Sequence, residues 1–330
     1  MKRIIFISLL FITLACSKEA KVSDDTPMMM NAVTKSPTDF GADTPVFLFW
    51  LDSDFNNIAE DTYTQPYLTA WPYLGIDSYK PSIQTYNTGK RYPDNDQEVY
   101  CTGFFPATLI IDDGDAQRSW TKLSVPSEDI GILDVMVAPE HITGKSSQHF
   151  DTKNPEEPLV FIHAQSKVSF KAKMGTNMAQ NRYLRNIQVT IPAYDQFTTS
   201  LKWENGRYIA DAASQDQEAE VILKDPNTTQ LDPNQAMRDL GYVYLHPGKT
   251  SINIKAELEM DDTPLFSKPA VISIETTIPF ALNDGLGNSL RENDAYEIIL
   301  VINYDSIALV GKKAEWKDGG GLVIPIYPNK

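Results

Sequence analysis

The chain contains little cysteine, little histidine and comparatively little positive charge. Its 330 residues include two cysteines and four histidines, and 29 Lys and Arg stand against 44 Asp and Glu, a formal charge of −15. Nucleic acid binding is disfavoured, because a chain this acidic repels polyphosphate.

The sequence lacks a G-x-S-x-G elbow, H-E-x-x-H, a phosphate-binding glycine loop and a dinucleotide fingerprint. No histidine has a neighbouring histidine or cysteine at metal-ligand spacing. We therefore expect no enzyme, no metal site and no cofactor, although a glycosidase-type carboxylate pair stays open because only the fold sets its spacing.

Long apolar runs are also scarce, and the first sixteen residues hold the most informative one. Lys2 and Arg3 precede an apolar core at residues 4–12, which is too short to span a bilayer and is typical of a secretory signal peptide. Cys16 then stands where a bacterial lipoprotein signal places its lipid-modified cysteine, although Thr13 occupies a position that is usually leucine. We expect Cys16 to be the lipid-attachment residue. The alternative is a signal peptide that is cut elsewhere.

The remaining thiol is Cys101 if Cys16 is lipid-modified or discarded with the signal peptide; a cut elsewhere could also leave Cys16 as a plain thiol. A single cysteine excludes an internal disulfide even in an oxidising compartment. Cys101 lies in the strand-like stretch EVYCTGFFP, so we expect a buried thiol that packs as a small hydrophobe.

Alternating polar and apolar residues are abundant after about residue 44. The stretches SINIKAELEM, KVSFKAKM and YEIILVINY each place one apolar row on one face, which is typical of half-buried strands. Turn-forming clusters separate these stretches at the spacing of antiparallel sandwiches. The sequence therefore predicts an all-β protein with few short helices. The clearest predicted helix begins at Asp232 and ends at Gly241.

Length and composition suggest two domains, because 330 residues are enough for two cores. Residues 17–43 are polar and interrupted by proline, which predicts a flexible tether. Residues 141–158 form a second polar stretch. We therefore predict one sandwich domain at 44–150 and another at 155–330.

Aromatic residues are concentrated between positions 63 and 92. Exposed aromatic rings stack on sugars, so Trp71, Tyr73 and Tyr79 are candidate glycan contacts. The alternative, which we favour, is that these rings pack the edge of a sandwich.

Several stretches together resemble the fimbrillin (Mfa-like) family, the pilins of Bacteroidales type V pili. The resemblance lies in YPDNDQEVYCTGFFP, LDVMVAP, PLVFIHAQSKVSFKAKM, LRNIQVTIPAY and NDAYEIILVINYDSIALVGKKAEWKDGGG. It implies two transthyretin-like sandwiches in a lipoprotein displayed at the cell surface or outer membrane. It also implies other pilin subunits as partners, with a host or bacterial surface glycan or protein as the adhesion target. In such pilins a trypsin-like protease removes the first strand, and a strand from a neighbouring subunit takes its place.

The resemblance leaves the cleavage site open, because no arginine occurs between Arg3 and Arg91. Lys35 is the candidate cleavage residue, although Pro37 follows it closely. Two hypotheses remain: an uncleaved, lipid-retained anchor or accessory subunit, and a stalk or tip subunit cut at lysine. A surface lipoprotein that binds glycans without polymerising is a further alternative.

The last twelve residues, GGGLVIPIYPNK, predict a terminal edge strand at 322–327. Pro325 lacks an amide proton, so this strand cannot lie in the middle of a sheet. Gly319, Gly320 and Gly321 would act as its hinge. Leu322, Val323, Ile324 and Ile326 are the candidate donor-strand residues. Whether this strand completes its own domain or that of a neighbour is left open.

Overall fold

Strands account for most of the computed structural model. It describes residues 29–34, 45–51, 67–72, 84–88, 91, 98–111, 122–138, 142–144, 158–175, 183–192, 196–204, 207–212, 220–224, 237–261, 270–279, 289–303, 307–314 and 324–326. Within these ranges the helical structure is a 3₁₀ turn at Ser127–Asp129. The prediction of an all-β fold is confirmed. No helix in the described part of the chain is long and apolar enough to cross a membrane.

Ten strands of the described part of the chain precede residue 164. They are β1 (Met29–Thr34), β2 (Val46–Leu51), β3 (Tyr67–Pro72), β4 (Gln84–Asn87), β5 (Val99–Phe105), β6 (Ile110–Ile111), β7 (Lys122–Ser124), β8 (Met136–Val137), β9 (Ile142–Gly144) and β10 (Leu159–His163).

Eleven strands follow, and several of them are longer. They are β11 (Ser166–Met174), β12 (Tyr183–Pro192), β13 (Thr198–Glu204), β14 (Arg207–Ala212), β15 (Glu220–Lys224), β16 (Arg238–Leu245), β17 (Ser251–Asp261), β18 (Ala270–Pro279), β19 (Ala295–Ile302), β20 (Ile307–Ala314) and β21 (Ile324–Ile326).

Seven of the first ten strands close into a ring. Their hydrogen-bonded order is β2-β3-β4-β1-β10-β8-β5, and β5 pairs back with β2. Strand β9 is attached to β5 outside this circuit. Closure removes the open edges that a sheet would otherwise present to solvent. We call these seven strands the ring.

The ring is apolar on both faces where β2 and β5 meet. Alternate residues of β2 point to opposite sides. One side holds Trp50 in a buried cluster that comes mostly from the ring strands. Its members are Ala32, Val46, Leu48, Trp50, Val99, Cys101, Met136, Ala138, Leu159 and Phe161. The other side holds Phe49, which packs edge-on against Trp203 and Tyr208 of β13 and β14. The ring therefore has its own interior and is also packed against the small sheet β14-β13-β7-β6.

The remaining strands form a sandwich. A five-stranded sheet in the order β16-β11-β19-β20-β21 lies opposite a four-stranded sheet in the order β15-β12-β17-β18. Their inward residues are continuous alternating rows, such as Val168, Phe170 and Ala172 on β11 and Ile252 and Ile254 on β17, and all five are buried. Burial of these rows is the main stabilising contribution, at about 25 cal/mol per Å² of apolar surface.

Two sequence-based boundaries need correction. The predicted tether at 17–43 is wrong for residues 29–34, which form β1, because pairing on both sides orders them. The predicted start of a second domain at 155 does not match the sheets, since β10 still belongs to the ring. The division into two domains itself stays a prediction.

The predicted helix ending at Gly241 is also wrong at its C-terminal end. Arg238–Leu245 is strand β16, and Gly241 has a φ of +113° at a shift in register against Phe170 and Lys171 of β11. Pairing with β11 and burial of Val243 and Leu245 in the sandwich core override the local helix signals. Residues 231–236 lie outside the described ranges.

Candidate functional site

The N-terminal strand β1 lies inside the ring circuit, between β10 and β4. It pairs in parallel with β10, with Ala32 opposite Leu159 and Thr34 opposite Phe161. It pairs in antiparallel with β4, from Met29 opposite Asn87 onward. Strand β1 is therefore the segment that joins β4 to β10 and closes the ring.

The interior behind β1 is apolar and closed. Ala32 is fully buried and belongs to the same cluster as Phe161, Trp50 and Cys101. Burial raises the pKa of the Cys101 thiol well above its ordinary value, since the thiolate would lose its hydration. The sequence-based prediction of a buried thiol is confirmed. Without β1, this interior and the backbone edges of β4 and β10 would face water.

The C-terminal strand β21 is held differently. It is the last strand in the order of its sheet and, among the described strands, pairs with β20. Its three registered pairs place Ile324 opposite Gly311, Pro325 opposite Val310 and Ile326 opposite Leu309. A proline at the middle position lacks the amide proton that a two-sided ladder needs. In this single chain, the C-terminal strand therefore docks on its own sheet at an edge.

A polar junction connects the ring to the sandwich where β10 passes into β11. His163 is buried, its Nδ1 lies 2.6 Å from Asp134 Oδ1, and its backbone N–H donates to Asn293 Oδ1 at 3.2 Å. Ser166 Oγ donates to the carbonyl of Arg291 at 2.7 Å. Asn293 has a φ of +61°, a left-handed conformation that asparagine tolerates better than most residues. These contacts thus tie Asp134 and the segment of Arg291 and Asn293 to the short connection between β10 and β11.

A second set of contacts extends the junction to β16. The N–H of Val135 donates to Gln165 Oε1 at 3.1 Å, and the N–H of Ala164 donates to the carbonyl of Val135 at 2.8 Å. Tyr244 is largely buried, and burial together with the adjacent carboxylate of Asp134 raises the pKa of its phenol. Asp134 therefore contacts both β10 and β16, which places it at the centre of the junction.

The predicted site residues are unevenly placed. Cys16, Lys35, Tyr73, Tyr79, Leu322, Val323 and Gly319 to Gly321 all lie outside the described residues. Trp71 lies in β3, opposite Asn87 of β4. Ile324 and Ile326 lie in β21. The lipid-attachment, cleavage, hinge, donor and glycan assignments all stay predictions.

Sequence reasoning missed β1 altogether. The stretch MMNAVT is apolar apart from Asn31 and Thr34, but it is short and its neighbours are polar. Its apolar composition was the one local signal available. Its pairing partners β4 and β10 are about 55 and 130 residues away in sequence, so no local pattern could identify them.

Comparison with solved structures places the architecture among known proteins. A proposed cell adhesion protein from Bacteroides uniformis aligns over 88% of this chain and 99% of its own, with a TM-score of 0.53 at 13% identity. A proposed cell adhesion protein from Bacteroides ovatus aligns over 89% and 99%, with a TM-score of 0.52 at 12% identity. A fimbrial protein from Bacteroides vulgatus aligns over 88% and 100%, with a TM-score of 0.50 at 11% identity.

The chain has the fold of these Bacteroides proteins. The likeness covers nearly the whole of each chain, so it concerns the full arrangement rather than one sheet. The all-β sandwich fold expected from the fimbrillin resemblance is confirmed, and its division into two transthyretin-like domains stays a prediction. No family model and no curated protein sequence matches this chain.

Proposed function

We propose that this protein is a structural or adhesive subunit of a cell-surface pilus, assembled by exchange of terminal strands between subunits. The position of β1 carries the proposal: an N-terminal strand fills a place between β4 and β10 in an otherwise continuous circuit. The proposal is supported by the fimbrial and cell adhesion proteins that share this fold.

Cleavage after Lys35 would separate β1 from the rest of the chain. Thr34 is the last residue of β1, so Lys35 follows the strand directly. Departure of β1 would leave two unpaired strand edges and an exposed apolar interior, which is unfavourable in water. A strand supplied by another subunit would pair with both strand edges and cover the apolar interior again.

The segment 322–327 is the candidate donor. Its described part, β21, occupies an edge and has three registered pairs, so fewer backbone contacts hold it than hold β1. Gly319 to Gly321 would supply the backbone freedom for the strand to leave, and Leu322, Val323, Ile324 and Ile326 would be the donated apolar residues. Docking on its own sheet before assembly and donation afterwards are compatible states.

The leader sequence sets the proposed location. Lipid on Cys16 would attach the chain to the outer membrane through the segment that precedes β1. A subunit that keeps this segment would act as a lipid-retained anchor or accessory subunit. A subunit cut at Lys35 would be released into the stalk or tip of the pilus.

Limited trypsin treatment of the purified chain beginning at Ser17 tests the exchange. Cleavage at Lys35 should convert monomers into ladders that resist mild denaturant, as measured by electrophoresis without boiling. The variant Lys35→Gln should stay monomeric. The matched control Lys21→Gln should still polymerise, because it can still be cut after Lys35. A cut after Lys21 would leave β1 attached to the rest of the chain, so its loss should not matter. Ladders formed equally by Lys35→Gln would overturn this release step.

The mature N-terminus on cells distinguishes the two roles. Mass spectrometry of surface material showing acylated Cys16 would support the anchor, whereas Ser36 as the first residue would support a stalk or tip subunit. Deletion of 322–330 should leave monomers that are cut by trypsin but form no ladder. Normal ladders from that deletion would exclude this segment as the donor.

A further inference from the structure

We infer that β1 is a mechanical clamp: tension applied through the N-terminal segment loads the β1–β10 ladder in shear and is resisted by all of its hydrogen bonds together. This inference rests on the proposed function in one respect, namely that the chain is tethered through the residues before β1. The clamp would act in the uncleaved subunit, before any strand exchange.

Parallel pairing is the observation that sets the direction of loading. Strands β1 and β10 run the same way, with Ala32, Val33 and Thr34 opposite Leu159, Val160 and Phe161. A tether pulls on the N-terminal end of β1. The sandwich is connected through the C-terminal end of β10, where the chain continues into β11. The two forces therefore act at opposite ends of a parallel pair, and the strands must slide along each other before either can leave.

Sliding displaces every bond of a ladder at once. The bonds of a parallel ladder are evenly spaced and slant from one strand to the other, so motion along the strand displaces all of them together. When the same ladder is pulled from the same end of both strands, its bonds break one pair at a time. Strand β1 also has a second ladder, its four registered pairs with β4, which must slide as well.

The far end of β10 is fixed well enough to bear this load. His163 Nδ1 lies 2.6 Å from Asp134 Oδ1, and the N–H of His163 is bonded to Asn293. The following strand β11 is paired along Lys167–Met174 with β19 and, on its other side, with β16. Lys171 Nζ adds an ion pair to the nearly buried Glu297 at 2.7 Å. Force that leaves β10 therefore passes into the interior of a sheet.

Separation of β1 from β10 should release a characteristic length of extended chain. The ring strands β2, β3, β4, β5 and β8 all lie between β1 and β10 in sequence. Once β1 separates from β10, tension passes through residues 35–158. Their extension would add about 430 Å of chain at roughly 3.5 Å per residue.

Single-molecule force spectroscopy on one chain with two handle placements tests the clamp. The chain begins at Ser17 and carries Cys101→Ser, so that introduced cysteines alone bind the handles. Handles at Met28→Cys and Lys173→Cys load β1 and β10 from opposite ends, and Lys173 is exposed. Handles at Met28→Cys and Glu157→Cys load the same ladder from the shared N-terminal end. We expect the first rupture force to be several-fold higher for the 28/173 pair at equal loading rate, because shear loads every bond of the ladder together and forced rupture is governed by the unfolding rate.

Equal or lower force for the 28/173 pair would overturn the clamp, as would a first rupture without the length gain of residues 35–158. Both handle pairs use the same ladder, so a general loss of stability cannot produce the difference.

A further variant, Val33→Pro, removes an amide proton at a residue registered with Val160 of β10, and should lower the force for 28/173 more than for 28/157. The measurement uses monomers, so a subunit that polymerises on cleavage but ruptures equally in both placements would keep the proposed function and lose the clamp.

Discussion

The two terminal strands of this protein are held in opposite ways. Strand β1 has neighbours on both sides, with three registered pairs to β10 and four to β4, and its Ala32 is fully buried inside the ring. Strand β21 has three registered pairs to β20, one of them at Pro325, and it ends the order of its sheet. The first is an internal strand and the second is an edge strand.

This difference explains why the two ends suit different roles. An internal strand that closes an apolar ring cannot leave without exposing that interior, so its release needs an irreversible event such as proteolysis. An edge strand can exchange at small cost, because the rest of its sheet stays paired. The proposed cleavage beside β1 and the proposed donation of the segment 322–327 depend on this difference, and the following predictions test it.

Deleting each terminal strand should give the largest contrast. A chain that begins at Ser36 lacks β1 and should lose on the order of 4 kcal/mol of unfolding free energy, because two strand edges and the ring interior are exposed. Its Cys101, fully buried in the intact chain, should react several-fold faster with a thiol reagent. Deletion of 322–330 should cost about 1 kcal/mol or less and leave Cys101 protected. Urea unfolding and thiol kinetics measure both, and equal losses would contradict the comparison.

The firm attachment of β1 depends on the junction behind β10. Asp134→Asn removes the carboxylate beside His163 and Tyr244 and should lower the unfolding free energy by about 1.5–3 kcal/mol, the range for hydrogen bonds to charged groups. The matched control is Glu128→Gln on the exposed 3₁₀ turn, which should change stability by less than about 0.5 kcal/mol. Urea unfolding would distinguish them. Similar effects of the two substitutions would show that Asp134 does not secure the junction.

Ala32 tests whether the ring closes tightly around β1. Ala32→Leu adds three carbons to a fully enclosed position and should destabilise the chain by about 1–3 kcal/mol through overpacking. Ala32→Gly, which only removes a methyl group, should cost about 1 kcal/mol. Thermal unfolding compares both with the unaltered chain. A leucine variant as stable as the original would mean that the interior is open beside β1.

The smallest expected effect is a pH dependence from Cys101. Burial raises the pKa of this thiol above its ordinary value of 9.0, so the folded chain keeps the proton that the unfolded chain releases. The stabilisation is fully present below pH 9 and is lost as pH rises, by at most about 1.4 kcal/mol per pH unit. Urea unfolding at pH 8 and pH 10 should show a shallower decline for Cys101→Ala. Tyr208 is also buried and contributes equally in the unaltered chain and in Cys101→Ala. The same slope of unfolding free energy against pH in both proteins would mean that Cys101 is exposed to water.

Much of the fold could be predicted from local pattern. The alternation in β11 and β17 follows directly from having one face in a core, and both strands occur where the pattern predicts them. The predictions were wrong at positions where pairing with strands far away in sequence determined the secondary structure. Arg238–Leu245 contains Gly241, the predicted helix C-cap, but pairs with β11, and Met29–Thr34 lies in a polar segment but pairs with β4 and β10.

The sequence by itself determined the all-β class, the buried thiol at Cys101 and the unsuitability of Pro325 for an internal strand. Each depends on a local property: side-chain alternation, apolar surroundings or a missing amide proton. Tertiary structure alone decided that β1 closes the ring in parallel with β10, and that β21 docks on β20 of its own chain. Hydrogen bonds between strands join backbones far apart in sequence, and backbone groups are the same in every residue except proline, so no local pattern specifies the partner.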